Sequence, residues 1–527
     1  MLLILYGFEY KWGDCRVKDG NAIELRNISK RFGKVVANDH INLSVRYGEI
    51  LAILGENGSG KTTLMNMISG IYFPDEGQIF VHGEEVTIRS PKDAFPLGIG
   101  MIHQHFKLVD VLTAAENIVL GLPGPMRLDI DAVSARIREL AAKYGFDIDP
   151  NKKIYEMSVS QKQTVEIMKM LYRGANILIL DEPTAVLTPQ ETEALFAVLR
   201  NMRDAGNAII IITHKLNEVL ELSDRVAVLR KGKYVGSVQT AEATVESLTE
   251  MMVGSKVTLD IDRLEPIDEP QVRLVMKDVT CVDPEGIITL NHASFTAYGG
   301  EILGIAGVAG SGQKELLESI AGLTPKESGE IEYYPPNQPM QVISKFSAVE
   351  ISRLGIKLSF VPEDRLGMGL VGAMDMTDNM MIRSYRKGGF FWADRRAPKT
   401  LAEHIIGALE IVTPGVSTPV GKLSGGNVQK VLVGREIASA PTVLMVAYPV
   451  RGLDINSAYT IYSLLNVQKM RGVAVLYVGE DLDVLLALCD RILVLCGGRV
   501  TGIVDARTAT KEQIGLMMTS SGKEGER

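Results

Sequence analysis

Several features that define whole classes of protein are missing from this 527-residue chain. No run of apolar residues approaches the roughly 18 to 20 that cross a bilayer as a helix. We therefore expect any association with a membrane to be peripheral. The apolar start MLLILYGF is short and has neither a basic lead-in nor a small-residue cleavage site, so no signal peptide is predicted.

Excess positive charge and paired cysteines are also absent. The net charge is -8, which argues against a protein that binds nucleic acid through a broadly basic surface. The four cysteines show no metal-ligand spacing, and we expect reduced thiols as in cytoplasmic proteins. The length alone predicts about two to four domains.

What the chain does contain is a phosphate-loop pattern, because residues 55–62 read GENGSGKT and match GxxxxGK[ST] in full. The pattern follows the apolar run Ile50 to Leu54, typical of a buried parallel strand, and precedes a predicted helix. In this setting backbone N–H groups surround a polyphosphate, Lys61 reaches the outer phosphates and the Thr62 hydroxyl binds Mg²⁺. The alternative is a glycine-rich turn before a helix. The predicted nucleotide-binding residues are Gly55, Asn57, Gly58, Ser59, Gly60, Lys61, Thr62 and Thr63.

Polar residues after other predicted strands indicate the same chemistry. The buried run ILIL predicts a strand beside the phosphate loop in a doubly wound sheet, and Asp181 and Glu182 follow it. One of these acids can hold Mg²⁺ and the other can orient an attacking water. Two surface acids are the alternative. His214 follows the run AIIIIT, although a histidine after a strand is usually structural. Phe32 lies at the turn of a predicted antiparallel sheet that starts at Ile23, where it either stacks on adenine or packs as an ordinary aromatic.

Further elements lie between these motifs. An edge hairpin is predicted around Gly77 to Val81, and a mostly polar helical stretch from Asp131 to Tyr155. Gln104 stands between His103 and His105. Two histidines without a third ligand are ordinary polar residues rather than a metal site.

The order and spacing of these residues resemble the ATP-binding subunits of ABC transporters. The resemblance implies an α/β fold in which each domain has a P-loop mixed sheet core, an antiparallel β subdomain and a helical subdomain. It implies ATP as the ligand, with Phe32 and Gln104 among its contacts. It also implies that Thr62, Gln104 and Asp181 hold Mg²⁺, that Lys61 binds phosphate, that Glu182 polarises water and that His214 senses the γ-phosphate. We expect Gln104 to couple this site to a permease.

The second half of the chain repeats the first. GEILAILGENGSGKT from Gly48 matches GEILGIAGVAGSGQK from Gly300, 252 positions later, and Ser158 and Pro183 each match a residue 266 positions later. Two tandem ABC ATPase domains are therefore predicted. The predicted boundaries are an N-terminal extension 1–20, a first domain 21–256, a linker 257–270, a second domain 271–520 and a tail 521–527.

The two copies are not chemically equal. The Lys-Thr pair of the phosphate loop becomes Gln313-Lys314, the acid pair becomes Ala447-Tyr448, and the histidine becomes Glu480. The second half has thus lost its Mg²⁺ acid, its water-polarising acid and its γ-phosphate sensor. We predict that it hydrolyses nothing.

The signature motif shows the opposite inequality. The second half reads LSGGN, close to the family signature LSGGQ, and its Ser424, Gly425 and Gly426 are predicted to present N–H groups to a γ-phosphate. The first half reads MSVSQ, where Val159 and Ser160 add side chains at the same place. In the family each ATP lies between one domain's phosphate loop and the other domain's signature. The resemblance therefore implies one competent composite site and one degenerate site, which is bound passively or empty.

Other segments resemble one branch of the family. VPEDRLGMG from Val361, LSGGNVQKVLVGRE and RGLD from Arg451 are similar to importers of monosaccharides and nucleosides. The stretches HQHFKLV and GVAGSGQKEL favour the nucleoside branch, and a ribose- or galactose-type importer is the alternative. The implied partners are two integral-membrane permeases and, indirectly, an extracytoplasmic solute-binding protein, with the chain at the cytoplasmic face of the cell membrane and no nucleic acid. A soluble translation or repair ATPase and a regulatory nucleotide sensor remain open.

Overall fold

The computed structural model describes residues 20–33, 35–56, 58–103, 106–122, 129–185, 187–213, 215–254, 261, 263–265, 270–283, 285–308, 310–360, 365–382, 384, 394–438, 440–451 and 453–519, with only the backbone at 357–360, 365 and 368. Backbone contacts divide the chain into two compact units. The first comprises Met1–Leu187 and Glu191–Val257, and the second comprises Thr188–Gln190 and Thr258–Arg527. The predicted extension, linker and tail lie wholly or partly outside the described residues.

The first unit alternates strands and helices after an initial hairpin. Its strands are β1 (Asn21–Phe32), β2 (Val35–Arg46), β3 (Ile50–Leu54), β4 (Glu76–Val81), β5 (Glu84–Val86), β6 (Ile99–Ile102), β7 (Ile177–Asp181), β8 (Ala208–Ile212), β9 (Arg225–Arg230) and β10 (Lys233–Gln239). Its helices are α1 (Lys61–Ile68), α2 (Pro91–Ala94), α3 (Ala114–Val119), α4 (Ile130–Tyr144), α5 (Val159–Tyr172), α6 (Pro189–Asp204), α7 (Leu216–Leu222) and α8 (Val245–Val253). Single 3₁₀ turns occur at Phe95–Leu97, Ile154–Glu156 and Thr240–Glu242.

These strands form two sheets. The order β2-β1-β4-β5 gives an antiparallel sheet, and β10-β9-β3-β8-β7-β6 gives a mixed sheet in which β10 runs antiparallel to β9. Alternate residues of β7 enter opposite cores, because Ile177 and Ile179 pack with β1, β2 and α1, whereas Leu178 and Leu180 pack with α3 to α6. A strand covered on both faces must be apolar throughout, which is why β3, β7 and β8 are recognisable in the sequence.

Most of the local predictions for this unit are confirmed, with two corrections. The antiparallel sheet from Ile23 and the hairpin around Gly77 are present. The strand that carries Asp181 does not lie directly beside the phosphate-loop strand, because β8 lies between β7 and β3. The helical stretch predicted to reach Tyr155 ends at Tyr144, because Gly145 has φ 83° and its N–H bonds back to the carbonyl of Ala141.

The second unit repeats this sequence of elements. Its strands are β11 (Val272–Val282), β12 (Ile288–Tyr298), β13 (Ile302–Gly307), β14 (Lys326–Tyr333), β15 (Gln341–Val342), β16 (Ile356–Phe360), β17 (Val443–Ala447), β18 (Ala474–Val478), β19 (Arg491–Cys496) and β20 (Arg499–Asp505). Its helices are α9 (Gln313–Ile320), α10 (Ala348–Arg353), α11 (Arg365–Met368), α12 (Met376–Met381), α13 (Arg396–Ala408), α14 (Gly425–Ile437), α15 (Ile455–Met470), α16 (Leu482–Leu488) and α17 (Lys511–Thr519), with a 3₁₀ turn at Val420–Lys422.

Strand order shows that the second unit is a copy of the first. Its sheets have the orders β12-β11-β14-β15 and β16-β17-β18-β13-β19-β20, which match the first unit strand for strand. Part of the predicted linker packs on this unit, since the Lys469 ammonium donates to the carbonyl of Leu264 at 2.5 Å and Arg263 Nε donates to that of Ala487 at 3.1 Å. Among the described residues, no helix combines the length and the apolar character that a membrane span requires.

Candidate nucleotide-binding site

The phosphate loop connects β3 to α1 in a conformation that only glycine fits. Gly58 and Gly60 have φ 82° and 97°, in the left-handed region. A Cβ on Gly60 would lie 2.3 Å from the carbonyl oxygen of Ala37 and 2.7 Å from Asn38 Nδ2. Gly60 is also the N-cap of α1. The loop is therefore packed against β2 and leads directly into the N-terminus of a helix.

Backbone hydrogen bonds hold this loop from several sides. Ser59 N donates to the carbonyl of Glu56 at 3.0 Å, Gly232 N donates to that of Ser59 at 3.1 Å, and Asn38 Nδ2 donates to that of Gly60 at 3.2 Å. The Ser59 side chain is 3% exposed, and its hydroxyl has no hydrogen-bond partner among the described residues. Buried polar atoms normally have a partner, so this hydroxyl fits a bound phosphate oxygen.

Lys61 is buried over the loop that precedes it. Its ammonium donates to the carbonyl of Gly55 at 2.6 Å and to that of Glu56 at 3.1 Å. Burial lowers the pKa of Lys61, while the carboxylates of Glu182, Asp181 and Glu56 act in the opposite direction. The structure thus brings the predicted lysine into electrostatic range of both predicted strand-end acids.

The two acids occupy different positions at the end of β7. Burial and, to a smaller extent, the neighbouring Glu182 raise the pKa of Asp181 to about 6, against the opposing effect of Lys61. Glu182 has φ 50°, and its N–H donates to the carbonyl of Ile212 at 2.9 Å. This bond fixes the Glu182 backbone to the end of β8, the strand between β7 and β3.

The remaining predicted residues divide into two groups. Thr62 is exposed and Thr63 half-buried on the first turn of α1, and Phe32 is 44% exposed with its ring edge-on to Tyr72 at a centroid distance of 5.2 Å. Phe32 is therefore accessible to a ligand rather than enclosed in a core. The other predicted residues lie outside the described residues: Asn57, Gln104 and His214.

The second unit keeps the backbone of this site and changes its side chains. Tyr448 has φ 50° and its N–H donates to the carbonyl of Val478 at 2.8 Å, as Glu182 does to Ile212. Ala447 ends β17 and is 2% exposed. Glu480 faces Arg451 at 3.5 Å. The described residues of this unit place no carboxylate at the strand end that corresponds to Asp181 and Glu182.

Comparison with known proteins decides the family. The family model described as "ABC transporter" matches residues 38–185 and 290–449, more than half of the chain. The chain belongs to the ABC transporter family. It is therefore an ATP-binding ATPase with two tandem ABC domains.

Individual relatives of this ABC ATPase align along nearly the whole chain. It is 40% identical to the glucose import ATP-binding protein TsgD13 of Haloferax volcanii over 95% of its length and 96% of that protein's. It is 39% identical to the nucleoside import ATP-binding protein NupA of Lactococcus lactis (94% and 97% covered). It is 40% identical to the guanosine import ATP-binding protein NupO of Bacillus subtilis (95% and 97% covered).

One solved structure aligns with residues of both units. The archaeal ribosome recycling factor aABCE1, in its complex with the ribosomal stalk protein aP1, matches with a TM-score of 0.57 and 16% identity, over 89% of this chain and 87% of that chain. At this identity the likeness shows the shared tandem fold and nothing about function.

The signature segments of this ABC ATPase begin two equivalent helices. Ser424 is the N-cap of α14, and its hydroxyl accepts from Asn427 N at 3.4 Å, while Gly425 is exposed. Ser158 is likewise the N-cap of α5. In the first unit the Ser160 hydroxyl donates to Glu191 Oε1 at 2.5 Å. Ser160, which stands where the second unit has Gly426, therefore has its side chain bound within its own unit.

Two residues of α5 that lie outside the sequence motifs bind the backbone of the segment after β6. Glu166 is 5% exposed and its Oε1 accepts from Lys107 N at 2.7 Å, and Lys169 Nζ donates to the Lys107 carbonyl at 3.3 Å. In the second unit Arg435 NH2 donates to the carbonyl of Gly369 at 3.0 Å, the position that corresponds to Lys107. Charged residues set among the apolar residues of α5 were the sequence signal for this connection.

Glu166→Leu should destabilise the first unit, because it leaves the Lys107 N–H without its acceptor. Loss of a buried bond to a charged group costs about 1 to 3 kcal/mol. We expect a lower midpoint of thermal unfolding, by about 2 to 4 °C for each kcal/mol. Glu166→Gln keeps an acceptor oxygen and is the matched control. Equal midpoints for the two variants would contradict the assignment.

Proposed function

We propose that this chain is the energy-coupling ATPase of an importer for nucleosides. The observation that carries the proposal is the 39% and 40% identity to proteins named for nucleoside and guanosine import. Relatives named for ribose or ribose/galactose import are 35% to 37% identical. The replacement of both strand-end acids by Ala447-Tyr448 supports the same branch. A monosaccharide importer is the second candidate, because the glucose import relative is also 40% identical.

The residues of the first unit fit Mg²⁺ as a partner of ATP. Lys61 stands against the carboxylates of Asp181, Glu182 and Glu56, so this cluster carries more negative than positive charge. We propose Thr62 and Asp181 as the protein ligands, together with Gln104 outside the described residues. The cation would supply positive charge to the phosphate oxygens.

The chain's own residues then carry the remaining roles in hydrolysis. The loop N–H groups and the Lys61 ammonium bind and orient the phosphates, and Glu182 holds the attacking water and accepts its proton. We propose that this single competent site also needs the signature residues Ser424, Gly425 and Gly426. His214 would sense the γ-phosphate, and Phe32 would contact adenine.

The proposed partners follow from an import function. Two membrane permeases would receive the closing motion, a separate solute-binding protein would deliver the solute, and the chain would lie at the cytoplasmic face of the membrane. We propose Gln104 as the residue that couples the site to the permeases. A soluble translation or repair ATPase would co-sediment with ribosomes or DNA instead, and a nucleotide sensor would turn over too slowly to drive uptake.

Uptake of labelled solutes tests the proposal directly. Cells that carry Glu182→Gln should lose uptake of labelled nucleosides and keep uptake of labelled monosaccharides, relative to cells with the native chain. Loss of sugar uptake alone would replace the first candidate by the second. Unchanged uptake in both panels would contradict both candidates.

A further inference from the structure

The second unit keeps the backbone of a phosphate loop although its catalytic side chains are gone. Gly310 and Gly312 have φ 85° and 102°, against 82° and 97° at the equivalent glycines of the first unit. Ser311 N donates to the carbonyl of Val308 at 3.0 Å, and Gly498 N donates to that of Ser311 at 3.1 Å. The first unit makes the same two bonds at the same two distances. The loop of the second unit is thus preserved as a cradle of backbone N–H groups.

Two features of this loop, its close packing at Gly312 and the hydroxyl of Ser311, indicate a ligand. A Cβ on Gly312 would lie 2.9 Å from the carbonyl oxygen of Thr289, so close packing against the neighbouring strand is retained. Ser311 is 7% exposed, and its hydroxyl makes no hydrogen bond within the described part of the chain. A hydroxyl without a hydrogen-bond partner, on a residue that is 7% exposed at the N-terminus of the eight-residue helix α9, suits an anionic oxygen.

The same loop does not fit Mg²⁺. Lys314 stands where the first unit has the Thr62 hydroxyl, and Ala447 stands where it has the Asp181 carboxylate. An ammonium has no lone pair for a metal and a methyl group has no donor atom, whereas Mg²⁺ takes oxygen ligands. Two of the three protein ligands proposed for the cation in the first unit, Thr62 and Asp181, are therefore replaced here.

The acids that surround Lys61 in the first unit are replaced by uncharged residues around the loop of the second unit. The three acids that act on Lys61 in the first unit become Tyr448, Ala447 and Val308, which are all uncharged. Gln313 is also uncharged, and its Nε2 donates to the Val308 carbonyl at 3.1 Å. The three carboxylates that act on Lys61 in the first unit therefore have no counterpart at the equivalent positions of this unit.

Lys314 places a positive charge beside this loop. It is exposed on the first turn of α9, and its contact with Glu318 is a long one at 3.8 Å. The ammonium of Lys314 is free to reach a phosphate at the start of the helix.

We propose that the second unit binds the polyphosphate of a nucleotide without a divalent cation, with the Lys314 ammonium supplying the positive charge that Mg²⁺ supplies in the first unit. The site binds and does not hydrolyse, because Ala447 and Tyr448 replace the two acids proposed as metal ligand and base in the first unit. This proposal concerns a site separate from the catalytic one and does not depend on which solute is imported.

The purine ring of the nucleotide contributes less to binding here than in the first unit. Five residues beyond the left-handed residue Asn27 stands Phe32, and five beyond its counterpart Asp278 stands Asp283. The Asp283 carboxylate accepts from Glu285 N at 2.9 Å and from Ile287 N at 2.8 Å, so it closes the turn. An acid in place of an aromatic ring removes a stacking surface, and we expect ADP and GDP to bind alike.

Equilibrium dialysis of the purified full chain with labelled ADP in excess EDTA tests the site. We expect one ADP per chain in EDTA, retained in Lys61→Ala, whose first site is disabled. Lys314→Thr restores the residue type of the first unit and should weaken this binding about tenfold or more, as the loss of a charge-assisted contact predicts. The matched control is Lys399→Thr, because Lys399 also contacts a glutamate four residues later, at 3.9 Å.

Three results would overturn the proposal. The first is the absence of bound ADP in EDTA, which would make both sites metal-dependent. The second is EDTA-resistant binding that disappears in Lys61→Ala, which would assign it to the first unit. The third is equal binding by Lys314→Thr and Lys399→Thr. Replacing ADP by GDP should leave the EDTA-resistant affinity within about threefold, and a larger loss would contradict recognition through the phosphates.

Discussion

Glu182→Gln is expected to lower steady-state ATP hydrolysis by about a hundredfold or more, the contribution of a positioned general base. The amide keeps the size of the carboxylate and the backbone bond from Glu182 N to the Ile212 carbonyl, so the fold should be unaffected. What it removes is the group that accepts a proton from water. The measurement is phosphate release over many turnovers by the purified chain.

Three controls separate this chemical role from a loss of binding. Glu182→Gln should still bind ATP, because the loop and Lys61 are intact. Gln313 and Glu480 of the second unit correspond to Lys61 and His214 of the first. The variants Gln313→Ala and Glu480→Gln should keep most of the hydrolysis. Turnover near the native rate in Glu182→Gln would remove Glu182 from the role of base.

The sequence identified the parts of this site that are coded locally. Residues 55–62 and the acids after β7 belong to short motifs whose chemistry depends on neighbours in the chain, and each follows a strand that is apolar throughout. Gly60 shows why such a motif is recognisable. Its φ and the 2.3 Å approach of Ala37 O to a hypothetical Cβ permit no other residue.

Relations between distant segments could not be predicted in the same way. The insertion of β8 between β7 and β3 is set by crossovers, and a single apolar run says nothing about which run it pairs with. The bond from Lys107 N to Glu166 joins residues 59 positions apart and has no motif. Phe32 was left with two environments, and the structure gives it a half-exposed edge contact with Tyr72.

The repeat supplied what a single domain could not. Because Gln313, Ala447 and Tyr448 stand at positions whose backbone geometry is conserved between the units, each difference can be interpreted as a change of chemistry at a fixed place. The amide of Gln313 bonds to a loop carbonyl, as the Lys61 ammonium does. The proposed loss of catalysis in the second unit therefore required no change in the fold of its loop.

Gly425→Asp is expected to lower ATP hydrolysis by about tenfold to a hundredfold, although Gly425 lies in the unit that has lost its catalytic acids. Gly425 is exposed and is the first residue of α14. An acid at this place favours the helix through its dipole, so unfolding is not the expected cause. The expected cause is repulsion between the new carboxylate and the γ-phosphate, which at about 4 Å costs between about 1 kcal/mol in water and about 4 kcal/mol near a protein surface.

Val159→Asp is the matched control, because Val159 is the first residue of α5 in the first unit. It gains the same charge at the same point of an equivalent helix. If hydrolysis by the first unit needs the second unit's signature, Gly425→Asp loses activity and Val159→Asp keeps most of it. ATP binding at the site that contains Lys61 is measured in both variants. The opposite result would assign the working signature to MSVSQ. Activity near the native rate in both variants would show that neither signature contacts the hydrolysed nucleotide.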